Sequence, residues 1–134
     1  MRERSLILIK PDAVERNLIG QIINCYEEVG LKVMAMRMEN ITEEVASKHY
    51  AEHKGKAFYD ELIKYITRSP LCAIILEGKD AISKIRQLNG HTNPAKAEDG
   101  TIRKYFGVNL TENCVHASDS VETAKREIAM WFPN

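Results

Sequence analysis

Apolar positions recur along this chain in two rhythms, each predicting a different kind of element. Arg4 to Ile9 is rich in β-formers and closes at Lys10-Pro11, a residue that cannot donate to a ladder, which predicts a first strand. Asp12-Ala13-Val14-Glu15 has capping-box spacing with Asp in place of Ser or Thr, and Ile19, Ile22, Ile23 and Tyr26 follow at helical intervals up to Gly30. One helix closed by a C-terminal glycine is expected there. Leu31 to Met38 sets Leu31, Val33 and Ala35 against Lys32, Met34 and Met36, an impure strand alternation.

Thr42-Glu43-Glu44 opens an acidic-first helix toward Tyr50, and Phe58, Leu62, Tyr65 and Ile66 mark a further helical face before Ser69-Pro70. Leu71 to Leu76 is nearly continuously apolar between Pro70 and Gly78, which predicts a central strand covered on both faces. Asp80 stands where it can cap a helix that turns Ile82, Ile85 and Leu88 inward. From Asn89 to Asn113 the periodicity breaks into Gly, Asn, Thr, Pro and charged residues, predicting a long loop with one helical turn near Thr101 to Phe106. Loops of that length inside compact domains tend to be functional. Cys114-Val115-His116 reads as a short strand, and Ser120-Val121-Glu122-Thr123 opens a last helix with Ala124, Ile128 and Trp131 facing the core and Pro133 as its stop. Strands and helices alternate without repeat, linker or low-complexity tract, so residues 1–134 are expected to form one α/β sandwich domain.

Composition narrows the possibilities. With 134 residues, 44% of them hydrophobic and 28% charged, the chain suits one globular core and neither a disordered segment nor a membrane span. Lys+Arg and Asp+Glu balance at 19 each, so no global field draws the chain to nucleic acid, which is not expected as its main partner, or to a membrane. An anion site must then be local. The apolar run Leu6 to Ile9 is too short for a signal-peptide core. Cys25, Cys72 and Cys114 form no CxxC pair, which points to reduced thiols and a cytoplasmic protein.

Neither a P-loop nor a GxGxxG turn occurs, and Lys54-Gly55-Lys56-Ala57 lacks the leading glycine and the hydroxyl of the former. Phosphates therefore need side-chain cations, for which Lys10, Arg86 and Arg103 stand at the ends of elements. Taken singly, each also reads as a solvated surface charge. His116 lies at the end of a short strand and before Ala117-Ser118-Asp119-Ser120, the start of a helix whose positive end favours an incoming phosphate. Neutral imidazole is a competent nucleophile near pH 7, but local sequence alone favours a hydrogen-bonded structural histidine, since few histidines are catalytic. A Cys114/His116 hydrolase pair on one strand face is disfavoured, because such pairs come from separate elements.

Taken together, several ordered segments resemble the nucleoside diphosphate kinase family over nearly the whole chain. Asn113-Cys114-Val115-His116-Ala117-Ser118-Asp119-Ser120 is similar to that family's active-site signature, N-x-x-H-[GA]-S-D-S. Ile9-Lys10-Pro11-Asp12, Tyr50-Ala51-Glu52-His53, Thr92-Asn93-Pro94-Ala95 and Gly100-Thr101-Ile102-Arg103 support it. The resemblance implies a ferredoxin-like βαββαβ core with an antiparallel four-stranded sheet, helices mainly on one face, and additions. It also implies ping-pong transfer of the γ-phosphoryl of ATP or another nucleoside triphosphate to nucleoside diphosphates through phosphorylated His116, which maintains nucleotide pools.

By the same resemblance Lys10, Arg86, Arg103 and Thr92 hold phosphates, Asn113 bonds the sugar hydroxyl, and Phe58 stacks the base, with Leu62 also among the nucleotide-binding residues. Glu127 positions the histidine, Ser118 supports that network, and Tyr50 borders the site. Mg²⁺ is the implied cofactor, carried by substrate phosphates with no direct protein ligand. A homo-oligomer built from dimers is implied, tetramer or hexamer, the choice left open by an end at Asn134 without the longer tail of some hexameric members. Ala117 stands where Gly is frequent and Ala57 where Pro is, and neither change removes a functional group. Two alternatives remain at this stage: a non-catalytic nucleotide-binding module, and nucleic-acid binding through Arg2, Arg4, Lys104 and the aromatics.

Overall fold

Two apolar runs lie side by side at the centre of the computed structural model, which describes residues 2–133. They are β1 (Arg2–Ile9) and β3 (Leu71–Lys79), paired antiparallel with Leu6 opposite Ile75 and Ile9 opposite Cys72. β2 (Lys32–Glu39) flanks β3 and β4 (Val115–Ala117) flanks β1, both antiparallel, giving the order β2-β3-β1-β4.

Side chains on a strand alternate between faces, so each central strand feeds two cores. Ile7, Ile9, Cys72, Ile74 and Leu76 enter one of them, under α1 (Pro11–Glu15), α2 (Ile19–Glu28) and α5 (Ala81–Asn89), which contribute Ala13, Ile22, Tyr26, Ala81 and Ile85. Leu6, Leu8, Leu71 and Ala73 enter the other, under α3 (Glu43–His49), α4 (Tyr59–Ile66) and α7 (Val121–Trp131), with Ala46, Tyr65, Ile66 and Trp131. This double cover explains the missing polar alternation in β1 and β3, where each fully buried Ile or Leu contributes roughly 1.5–3 kcal/mol. The architecture is the ferredoxin-like one, with α2 and α5 as its two helices and a second helical layer on the opposite face.

Several local expectations change. The helix expected from Asp12 to Gly30 is two helices, broken where Asn17 takes a left-handed φ of 61°. Asp12 does not cap the first. Pro11, with its preset φ and no N–H, begins α1 with Lys10 at the N-cap position, two residues earlier than expected, and the Asp12 carboxylate instead accepts from the Tyr65 hydroxyl of α4. Asp80 occupies the N-cap position of α5 but is itself left-handed, at φ 51°, and makes no side-chain cap; Glu3 Oε1 accepts the Ile82 N–H instead, at 3.0 Å. β2 carries a bulge between Val33 and Ala35 and leaves Met34, Met36 and Met38 exposed at the sheet edge. The last strand starts at Val115 rather than Cys114, whose φ of 82° takes it out of the strand, so Cys114 and His116 do not share a strand face.

The segment from Asn89 to Asn113 is largely irregular, as its composition predicts, but it is tightly tied. It holds a 3₁₀ turn at Pro94–Lys96 and the expected helical turn as α6 (Ile102–Phe106). Asn93 and Thr101 side chains accept the N–H groups of Ala95 and Lys104, which starts these two elements. Gly90, at φ 85°, lies against Thr101 so closely that an added Cβ would come within 2.6 Å of its side chain.

Candidate active site

His116 is aimed by its neighbours in sequence and across the sheet. Left-handed backbone at Cys114, a conformation that costs a non-glycine residue about 1–3 kcal/mol, turns the chain just before β4. His116 then pairs opposite Leu8. Four residues on, Ser120 caps α7 by accepting the Thr123 N–H at 3.1 Å, and this early helix start brings Glu127 back under the imidazole.

Hydrogen-bond bookkeeping assigns the ring's tautomer. Ser118 Oγ accepts the Leu6 N–H at 3.1 Å, so its single proton goes to Glu127 Oε1 at 2.7 Å. The Glu127 carboxylate accepts only, so the 3.0 Å contact with His116 Nε2 is a bond donated by the ring. The lone pair of neutral His116 is left on Nδ1. Ser118 is fully buried and Glu127 nearly so, whereas His116 keeps about a quarter of its side chain open.

The ring faces a cavity of about 750 Å³ lined by all but one of the residues expected at the site: Lys10, Tyr50, Phe58, Leu62, Arg86, Thr92, Arg103, Asn113, His116 and Glu127. Ser118, the remaining one, stands behind Glu127. Phe58, at the N-terminal end of α4, is exposed and Leu62 lies one turn further along the same helix. His53 lies beside Phe58 with ring centroids 5.4 Å apart, and its buried Nδ1 and the Tyr50 hydroxyl have no hydrogen-bond partner among the described residues. Sequence reasoning quoted the Tyr50-Ala51-Glu52-His53 segment but gave His53 no role; it also passed over Glu52 and Arg126, which line the same cavity.

The cations differ in how freely they meet a ligand. Lys10 is buried, and its ammonium donates to Asn113 Oδ1 at 2.9 Å. Burial, then the charge of Arg103, lowers its pKa from 10.5 to about 8. Arg103 uses three donors on backbone carbonyls, those of Gly90 at 2.8 Å, Val115 at 2.7 Å and Asn113 at 3.3 Å, which leaves two N–H groups for a ligand. Arg86, in the last turn of α5, is exposed at the cavity. The Asn113 carboxamide bridges Lys10 to the carbonyls of Thr92 and Leu110, at 3.1 and 3.0 Å, so it also braces the cavity wall.

His49, which sequence reasoning missed, packs edge-on to His116 with centroids 4.6 Å apart. Burial holds its pKa well below the usual histidine value. The Trp131 indole N–H, a pure donor, meets His49 Nδ1 at 3.3 Å and leaves the ring proton on Nε2. Among the described residues His49, His116 and Glu127 form the set able to hold a metal ion, with ligand atoms within 4.8 Å of one another. Metallation of His49 through either nitrogen breaks or opposes the Trp131 bond, so the set is built to hold an imidazole rather than a metal.

A family model described as nucleoside diphosphate kinase matches residues 3–134. Nucleoside diphosphate kinase of Clostridium perfringens is 66% identical, the match covering 98% of this chain and 92% of that protein. The Mycobacterium marinum enzyme of the same name is 53% identical over 100% of this chain and 99% of its own. Among solved structures, the nucleoside diphosphate kinases of Aquifex aeolicus and Encephalitozoon cuniculi superpose with TM-scores of 0.95 and 0.96. The first is 36% identical and covers 100% of this chain and 97% of its own; the second is 40% identical and covers 98% and 90%.

Proposed function

The chain belongs to the nucleoside diphosphate kinase family and is a nucleotide phosphotransferase, and on that premise we propose that it works by ping-pong transfer through His116. The carrying observation is the free Nδ1 lone pair, held at an open cavity by a ring whose Nε2 is committed to Glu127. In the first half-reaction Nδ1 attacks the γ-phosphorus, the bond to the bridging oxygen breaks, and the nucleoside diphosphate leaves with that electron pair. In the second, a terminal oxygen of another diphosphate attacks the phosphohistidine and the N–P bond breaks. Glu127 stabilises the positive charge that develops on the ring, as an orienting carboxylate behind a catalytic histidine does.

Lys10, Arg86 and the two unused N–H groups of Arg103 neutralise the phosphate oxygens, with Thr92 beside them, in a reaction that depends mainly on positioning and charge stabilisation. The unpaired Tyr50 hydroxyl is a further donor at the same wall. Phe58 stacks the base with Leu62 beneath it, which accepts any base because each has a π-face. Asn113 accepts from the sugar hydroxyl through the remaining capacity of Oδ1. Mg²⁺ fits as a partner of substrate phosphates: Glu127 is committed to His116 and Ser118, and Glu52 and Asp119 are the only other carboxylates among the described cavity residues. When bound, it supplies charge neutralisation on those phosphates.

Incubation with labelled ATP and Mg²⁺ is expected to leave acid-labile, base-stable label on the wild-type chain and none on His116→Ala; label on serine sinks the reading. The product is balanced nucleoside triphosphate pools in the cytoplasm, a reading supported by three free cysteines. No described helix is long and apolar enough to cross a membrane. We also place the chain in a homo-oligomer, tetramer or hexamer, with the methionine-bearing β2 edge as a surface suited to a second copy. Light scattering that returns a monomer at micromolar concentration would contradict this.

A further inference from the structure

The cavity wall formed by residues 106–113 is irregular, exposes Val108 and Leu110, and is braced internally by Asn109 and by the Glu112 carbonyl. Outside the cavity it is tied down at both ends by neighbours of one short helix. Arg16, just past α1, donates to the Phe106 carbonyl. At the other end Arg68 donates to Glu112 at 2.9 Å and, in a fork, to both oxygens of Glu15 at 3.0 and 2.7 Å. Ser69 adds a hydroxyl to the same Glu15 carboxylate. The guanidinium also lies over the Tyr65 ring, 5.1 Å from its centroid, and the Tyr65 hydroxyl reaches back to Asp12 in α1.

We propose that Arg68, acting through Glu112 and Glu15, is a positioning residue for nucleotide capture: it holds the loop so that Leu110, Thr111 and Asn113 are in place before substrate arrives. Three features carry this. Glu112 is the residue before Asn113, whose carboxamide joins Lys10 to the Thr92 and Leu110 carbonyls, so a shift at Glu112 passes directly to the cavity wall. Beyond Phe106, which packs on the core, the loop's large apolar side chains Val108 and Leu110 are both exposed, so its 107–112 stretch has little apolar anchoring. Arg68 is a planar fork already placed over an aromatic ring, which reduces the freedom lost in bridging two carboxylates and sets it apart from an isolated surface pair.

The inference rests on the proposed nucleotide site but not on phosphoryl transfer, so it is read from binding as well as turnover. With the full chain, ADP dissociation constants from calorimetry and steady-state KM are expected to rise about fivefold in Arg68→Ala, within the range open to a surface charge network, while kcat changes less than about twofold. Glu112→Gln should do the same, Arg68→Lys should fall between, and the double variant should be no worse than either single one. Amide exchange should quicken at 107–113. Unchanged ADP affinity in Arg68→Ala and Glu112→Gln, or additive losses in the double variant, would overturn the proposal. Wild-type chain that binds ADP but takes no label from ATP would sink the phosphohistidine reading and leave the clamp to be judged on affinity alone.

Discussion

The two ends of the cavity are built in opposite ways. At the histidine end, His116, Glu127, Ser118 and the Leu6 amide form a chain of bonds at 3.0, 2.7 and 3.1 Å rooted in the central strand of a doubly covered sheet. At the other end, where the base is proposed to stack, Phe58 is 44% exposed and Leu110 62% exposed, and neither offers a hydrogen bond from its side chain. A polar end held by a chain of hydrogen bonds suits a reaction that tolerates little misplacement of the nucleophile; an open apolar end suits a substrate whose base is held but not read.

Removing the carboxylate tests the rigid end hardest. Glu127→Ala should lower kcat by about a hundredfold or more while the KM of the diphosphate stays within a few fold, because the loss falls on the tautomer and on charge developing in the ring. A variant with near-normal kcat in stopped-flow phosphorylation would detach Glu127 from the chemistry. At the other end, Phe58→Ala should raise KM about tenfold, the scale of one lost base–aromatic stack, and do so alike for purine and pyrimidine diphosphates. A loss confined to one base would mean that the base is read after all.

The smallest effect joins the two ends through pH. Lys10 in the folded chain has its pKa lowered from 10.5 to about 8 by burial first and Arg103 second, so between those values the unfolded chain binds more protons and stability rises with pH. Nucleotide capture runs the other way. Above about pH 8 the free enzyme loses a phosphate-binding charge, so kcat/KM should fall there while thermal stability does not, and bound phosphate should shift the kcat limb to higher pH. A flat kcat/KM to pH 10 would contradict the coupling of a lowered Lys10 pKa to nucleotide capture.

Much of this was readable in the residues. Apolar continuity alone marks Leu71 to Leu76 as a central, doubly covered strand, and the signature around His116 points to the nucleophile proposed above. Other features depend on partners far away in sequence. Nothing near Asp12 signals that Tyr65 will claim its carboxylate, and nothing near Arg103 that the carbonyls of Gly90 and Val115 will take part of its fork. His49 reads as one polar residue on a helix until Trp131, 82 positions on, sets its tautomer. The break at Asn17 is invisible to periodicity, because Ile19, Ile22 and Tyr26 keep their own helical spacing on one side of it.

The most direct test of the phosphohistidine account is nuclear magnetic resonance of the phosphorylated chain with nitrogen-labelled histidine. Phosphorus coupled to Nδ1 of His116, with the Nε2 proton still hydrogen-bonded, is the predicted result. A phosphoryl group on Nε2, on another histidine, or on Ser118 or Ser120 would contradict it.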